Sequence, residues 1–244
     1  LIFEASEFNF QASPEIARAR RVLIKPSAAY PSPYPVTTSP EMIARIIEGI
    51  REVSDADILI LEGTPGGSPI YPIYQSLGYD FQRVLMLDVK DCIWVEVDNP
   101  LPKPFAVPTF WIPNVILSSD YLITVSTLRV INDRPECSIV NLLSALPSTK
   151  YGNRSAGGWD SLHGLGIDKV MADLYFTLPF DMGIIEAQQV FTGKSPQLSS
   201  GKVENCGKVF MGEPFDIDNE ACQLLGLKSE YLDLIKVARV GFES

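Results

Sequence analysis

Histidine is almost absent from this chain: His163 is the only one in 244 residues. A single imidazole excludes two-histidine zinc motifs and facial triads, and it leaves at most one imidazole base. The four cysteines, Cys92, Cys137, Cys206 and Cys222, include no Cys-x-x-Cys pair. That spacing suits neither zinc nor a cluster, so no iron–sulfur cluster is expected and no cofactor is evident. The thiols read instead as the reduced residues of a cytoplasmic protein. Basic residues are outnumbered, with 20 Lys and Arg against 30 Asp and Glu and a formal charge of −10. A field of that sign repels phosphate backbones and anionic lipid, so neither nucleic acid nor a membrane is an expected partner. Long apolar runs are missing too. The stretches at 57–61, 83–87 and 114–117 stop far short of the roughly 18 to 20 residues that a spanning helix needs, which points to a soluble protein. The first residues, Leu1-Ile2-Phe3-Glu4, lack the basic-then-apolar order of a secretory signal.

What is present is a large apolar fraction, 46% of residues, with no compositional break. It can fill a sizeable core, and one domain over 1–244 is expected. Arg21–Lys25 is a short apolar run stopped by Pro26, as a buried strand would be. A proline-rich loop follows and ends in Thr37-Thr38-Ser39-Pro40-Glu41. Two registers of one helix start are written there: Ser39 capping with Pro40 at the first helical position, or Thr38 capping with Glu41 three residues on. Ile43, Ile46, Ile47, Ile50 and Val53 then share one helical face. Asp57–Leu61 predicts a second strand, Tyr71–Leu77 a helix and Arg83–Asp88 a third strand. Alternation of strand and helix is the mark of a parallel βαβ sheet. Further on we expect an edge or hairpin strand at Ile93–Val97, strands at Tyr121–Ser126, Met182–Glu186 and Lys208–Met211, and a polar loop over Gln188–Lys202. Helices are expected across Leu162–Leu178, Ile217–Gly226 and Ser229–Ala238. Ser148–Trp159, with Gly152, Gly157 and Gly158, reads as the loop most free to move. The fold class is therefore α/β, three-layer, with a mostly parallel sheet and helices on both faces.

The order of these motifs resembles the domain of unknown function 362 family over roughly Val22 to Gly226. Lys25-Pro26 is similar to that family's Lys-Pro-Asn, with Ser27 in the Asn place, and Thr37–Glu41 resembles its Thr-Thr-His-Pro-Glu, with Ser39 for His. Gly63–Gly67 resembles its Asp-Ser-Pro-Gly-Gly turn, Asn141–Leu143 its Lys-Asn-Leu-Phe, and Glu213–Asp218 its Asp-Pro-Val-Ala-Val-Asp. The resemblance implies an α/β sheet protein, in some members joined to ferredoxin-type modules, and it implies no particular reaction. Where the family has Val-Pro-Lys-Leu-Lys-Thr-His, this chain has Val125–Ile131, which keeps one cation, Arg129. The Lys before Asn141 is Val140. Part of the family's polar set is thus replaced.

Ligands of open parallel sheets bind outside the carboxyl ends of the strands. That rule gathers Lys25, Thr37, Thr38, Gly63, Thr64, Gly66 and Gly67 at one edge, with Arg129 and Asn141 as further ligand contacts. Gly66 and Gly67 would let backbone amides approach an anion, and Lys25 would supply charge at the floor of a cleft, a local positive spot. A plain turn with an exposed strand-end lysine fits the same residues. His163 and Glu186 are the candidate proton carriers. Asp181, Asp216 and Asp218 are acids that could converge with Glu186 on a divalent cation or a proton, although solvated acids on an acidic protein need no such role. No metal site is specified by spacing. Trp94, Trp111 and Trp159 read as core or rim more readily than as stacking platforms, and Trp159, inside the glycine-rich segment, is the one to watch for stacking. The two functional readings are an enzyme acting on a small anionic metabolite and a non-catalytic module that binds a ligand or a partner.

Overall fold

The computed structural model describes residues 1–152 and 158–242. In chain order it has β1 (Ile2–Glu4), α1 (Pro14–Arg18), β2 (Arg21–Pro26), α2 (Pro40–Arg51), β3 (Asp57–Glu62), α3 (Tyr71–Leu77) and β4 (Val84–Asp88). A separate ribbon, β5 (Trp94–Asp98) with β6 (Thr109–Pro113), leads through α4 (Asn114–Leu117) to the long β7 (Tyr121–Ile131) and the short β8 (Arg134–Glu136). Next come α5 (Ser148–Tyr151), α6 (Asp160–Gly164) and α7 (Ile167–Thr177), followed by the hairpin of β9 (Met182–Gly193) and β10 (Gly201–Gly212). The last elements are α8 (Pro214–Leu225) and α9 (Glu230–Phe242). The main sheet runs β1-β10-β9-β7-β2-β3-β4. Its five central strands, β9 to β4, pair in parallel, while β10, β1 and β8 add antiparallel edges.

Central strands of this kind are buried on both faces, and their side chains divide by the period of two. Val22 and Ile24 of β2 join Ile58, Ile60, Ile123 and Ile184 in a core covered by α1, α2 and α3. Leu23, Leu61, Leu122 and Ile185 face the other way, against α7, α8, α9 and the β5–β6 ribbon. These are the three layers. Of the face read from the isoleucine spacing, Ile43, Ile46, Ile47 and Ile50 are buried while Val53 lies past the end of α2 and is exposed; Ser39 is the cap of α2, its hydroxyl accepting from the Met42 amide at 3.0 Å. Thr38 is not the cap, because its hydroxyl donates instead to the Val125 carbonyl at 2.8 Å.

The sequence reading fails at the hairpin. Residues 188–202 are not a loop: β9 continues to Gly193 and β10 begins at Gly201, with only 194–200 between them. The segment is polar because residues 201–205 of β10 form the sheet edge and are exposed, while Val190 and Phe191 of β9, flanked by β7 as well, are buried. Ile93–Val97 belongs to the ribbon with β6, which the flanking Pro108 and Pro113 disguise in sequence. The expected mobile loop lies partly outside the described residues, at 153–157; of its remainder, 148–151 is helical and Trp159 is buried. The Trp159 indole donates to the Leu146 carbonyl at 3.0 Å, so Trp159 serves the core and is no exposed stacking platform. Among the described residues, no helix is long and apolar enough to cross a membrane.

Candidate functional site at the carboxyl edge

β2 stops at Pro26, opposite Val125, while β7 runs on for six more residues. Across that step the chain from 27 to 39 lies as a strap over the carboxyl edge. Its two ends are held by buried carboxylates from different strands. At the first end Glu62, the last residue of β3, accepts from the Ala28 amide at 2.8 Å. At the second, Glu186 of β9 accepts from the Ser39 amide at 2.9 Å and from the Ser39 hydroxyl at 2.5 Å. Between them, Arg129 donates to the Val36 carbonyl at 2.5 Å and pairs with Glu136 at 2.9 Å, and the Tyr34 hydroxyl accepts from the Gln189 amide at 2.8 Å.

Lys25 and Gly66 do share one edge of the sheet, since β2 and β3 are parallel neighbours. Lys25 is nevertheless no free cation at a cleft floor. It is wholly buried, and its ammonium donates to the Pro26 carbonyl (2.8 Å), Asn141 Oδ1 (3.2 Å) and Ser144 Oγ (2.7 Å) while lying 2.9 Å from both Glu62 oxygens. Burial lowers the Lys25 pKa, and the adjoining Glu62 carboxylate opposes that shift. An anion would have to displace Glu62 to reach it. Asn141 is spent in the same network, donating to the Lys25 carbonyl and to Thr124 Oγ1. The Gly63 amide donates to Glu62, and the Thr64 hydroxyl to the Ser68 carbonyl within its own turn. Gly67 holds a left-handed φ of +67° beside Thr149, and a side chain at Gly66 would meet open space. Thr37 is buried on the Ser32 carbonyl. The positive spot expected here is therefore neutralised from within.

The proton carriers are separated as well. Glu186 points into the α2 face of the sheet, whereas α6 buries Leu162 in the opposite core and leaves His163 exposed. The acids do not converge either. Asp181 caps the amino end of β7 through the Leu122 amide, Asp216 is exposed on α8, and Asp218 is buried among donors from Ser138, Ile139 and Tyr231. Among the described residues, no three His, Cys, Asp or Glu side chains gather as metal ligands would.

What the fold does build around Glu186 is a cavity of about 250 Å³, lined by Tyr34, Ser39, Glu41, Arg45 and Gln188 with Ala5, Met42 and Val209. Glu186 is only 6% exposed and has no ion pair among the described residues, so burial pushes its carboxyl up to about 7; the two Ser39 bonds pull the other way without winning. Tyr34 is raised above the ordinary phenol range, mainly by burial and next by the charge of Glu186, and stays a neutral donor. Arg45 is exposed at the rim without a salt bridge among the described residues. Sequence reasoning missed Tyr34, Arg45 and the role of Ser39 against Glu186. Arg45 reads as the wet side of a helix and Tyr34 as one aromatic in a proline-rich loop, and only the strap's path joins them.

The model of the family described as Domain of unknown function (DUF362) matches residues 22–223, most of the chain. The chain belongs to the DUF362 family. No curated protein matches its sequence. Among solved structures, the lactate racemase apoprotein from Thermoanaerobacterium thermosaccharolyticum is similar, with a TM-score of 0.56 and 15% identity over 91% of this chain and 53% of that one. This DUF362 chain thus spans about half the length of the racemase, and at such identity the likeness is one of fold.

Proposed function

We propose that this DUF362 protein is an enzyme that binds a small anionic metabolite in the cavity beside α2, with Arg45 as the anion contact and Glu186 as proton carrier. One observation carries the reading: a carboxyl only 6% exposed, without an ion pair among the described residues and with its proton affinity raised by burial, lines a cavity at the carboxyl edge of a parallel sheet. Such a group is poised to give or take a proton at neutral pH. The volume suits a small molecule. The similarity to a lactate racemase supports it weakly, since that protein's name places a small hydroxy-carboxylate and a stereochemical exchange on the same fold.

The second reading, a non-catalytic binding module, is favoured by Lys25 and Arg129, which are both committed to internal partners. One experiment addresses both. Small carboxylates and phosphates are screened for thermal stabilisation, and those that stabilise are followed by NMR for consumption. Under the enzyme reading a stabilising anion is converted by the wild type and not by Glu186→Gln, and Arg45→Gln loses the stabilisation. An anion that stabilises and persists unchanged, in every case, supports the module instead.

A further inference from the structure

Two proton-bearing side chains line the Glu186 cavity from different elements. Glu186 comes from β9 and is steadied by Ser39 through both carboxylate oxygens. Tyr34 comes from the strap. Its oxygen accepts the Gln189 amide, and among the described residues no acceptor takes its own proton. The phenol is thus fixed in place with one donor left for whatever fills the cavity. Arg45 stands at the rim of the same space. A base, a neutral O–H donor and a cation around a small cavity of mixed lining, which Glu41 also borders, suit a ligand that offers an acidic C–H, a carbonyl oxygen beside it, and a carboxylate.

Resting on the function proposed above, we propose that Tyr34 and Glu186 act as a pair on an enolisable 2-oxo carboxylate. Glu186 Oε takes the proton from the carbon next to the carbonyl; the C–H electron pair moves into a new C=C bond, and the carbonyl π pair moves to oxygen. The resulting enolate oxygen is stabilised by the Tyr34 O–H, and Arg45 holds the carboxylate. Return of the proton from Glu186 restores the ketone, so the cycle is balanced without an oxidant or a second substrate. Both halves suit the site. A carboxylate held in a dry wall is a stronger base than one in water, and a fixed donor needs no reorganisation when charge develops on oxygen.

The test needs no knowledge of the net reaction. Pyruvate, 2-oxobutyrate and 2-oxoglutarate are incubated with the full chain in D2O, and loss of the C3 proton signals is followed by NMR against a protein-free control. Thermal stabilisation by each acid is measured alongside. The expected result is exchange of at least one acid well above the control, abolished in Glu186→Gln and slowed about a hundredfold in Tyr34→Phe, with both variants folded by circular dichroism. Stabilisation without exchange would overturn the enolisation chemistry while leaving the anion-binding function standing. Exchange undiminished in Tyr34→Phe would overturn the role of Tyr34. If no acid in the wider screen stabilises the protein and none exchanges, this inference and the function beneath it both fall.

Discussion

Glu62 and Glu186 hold opposite ends of the same strap at the same edge of the sheet, yet they are different kinds of group. Glu62 is matched by the Lys25 ammonium and by the amides of Ala28 and Gly63. Glu186 has the backbone and hydroxyl of Ser39 and no ion pair among the described residues, Arg45 acting on it only from the cavity rim. The first is a closed network in which every charge has an opposite. The second leaves part of its desolvation uncompensated, and that remainder appears as a raised proton affinity beside a cavity. A buried charge with a full complement of partners holds structure, and one with a partial complement is available for chemistry.

The largest effect should come from breaking the closed end. Lys25→Met leaves Glu62 buried without its cation and should cost about 3 to 5 kcal/mol in urea unfolding, with Lys25→Met/Glu62→Leu recovering part of the loss. If Lys25→Met unfolds like the wild type, the network is not what closes that end.

At the open end the effect is one of pH. The folded pKa of Glu186, about 7, lies above its ordinary 4.5. Its contribution to stability is therefore intact below that ordinary value and is lost as pH rises through the folded one. The linked loss is roughly 3 kcal/mol as an upper bound. Glu41 and Arg45 from α2, with Tyr34 and Tyr79, are the charged and titratable groups that face it, and Glu41 and Arg45 act on it in opposite directions. Asp218, raised to about 6 by burial, contributes the same sign elsewhere. The informative quantity is hence the difference between wild type and Glu186→Gln: the variant should gain relative stability between pH 5 and pH 8, measured as ΔTm. A constant difference would mean that Glu186 is charged throughout.

Ser39 joins the two features of the open end, and Ser39→Ala should cost about 1 to 2 kcal/mol through the lost α2 cap. The same change should move the Glu186 titration upward, read by carboxyl NMR, because a donor to its charged form is gone. The smallest effect on stability belongs to Arg45→Gln, within about 0.5 kcal/mol for an exposed side chain with no ion pair among the described residues. Its effect should fall on ligand binding alone, which separates a rim contact from a structural one.

Much of this was legible in the residues themselves. Strands β2, β3 and β4 and helices α2 and α3 follow from short apolar runs, proline stops and a capping serine, all local signals with local causes. The parallel order follows because strands that alternate with helices have few other ways to pair. The β9–β10 hairpin reads short where β10 faces water, and β7 reads as ending at Ser126 although it continues, buried, through Val130 to Ile131.

At the carboxyl edge, sequence and topology brought Lys25, Thr37, Thr38 and Glu186 to one end of the sheet, but composition carries no record of which charge meets which. Lys25 and Glu62 are 37 positions apart and Ser39 and Glu186 are 147 apart. Whether a lysine at a strand end is a ligand for an anion or half of a buried ion pair depends on distances that only the packed chain defines. The sequence by itself determined the layers and the edge at which polar residues collect, because hydrophobic period and chain direction are local. The tertiary structure alone decided that Lys25 is neutralised and Glu186 is not, because electrostatic character in a low-dielectric interior is set by neighbours in space.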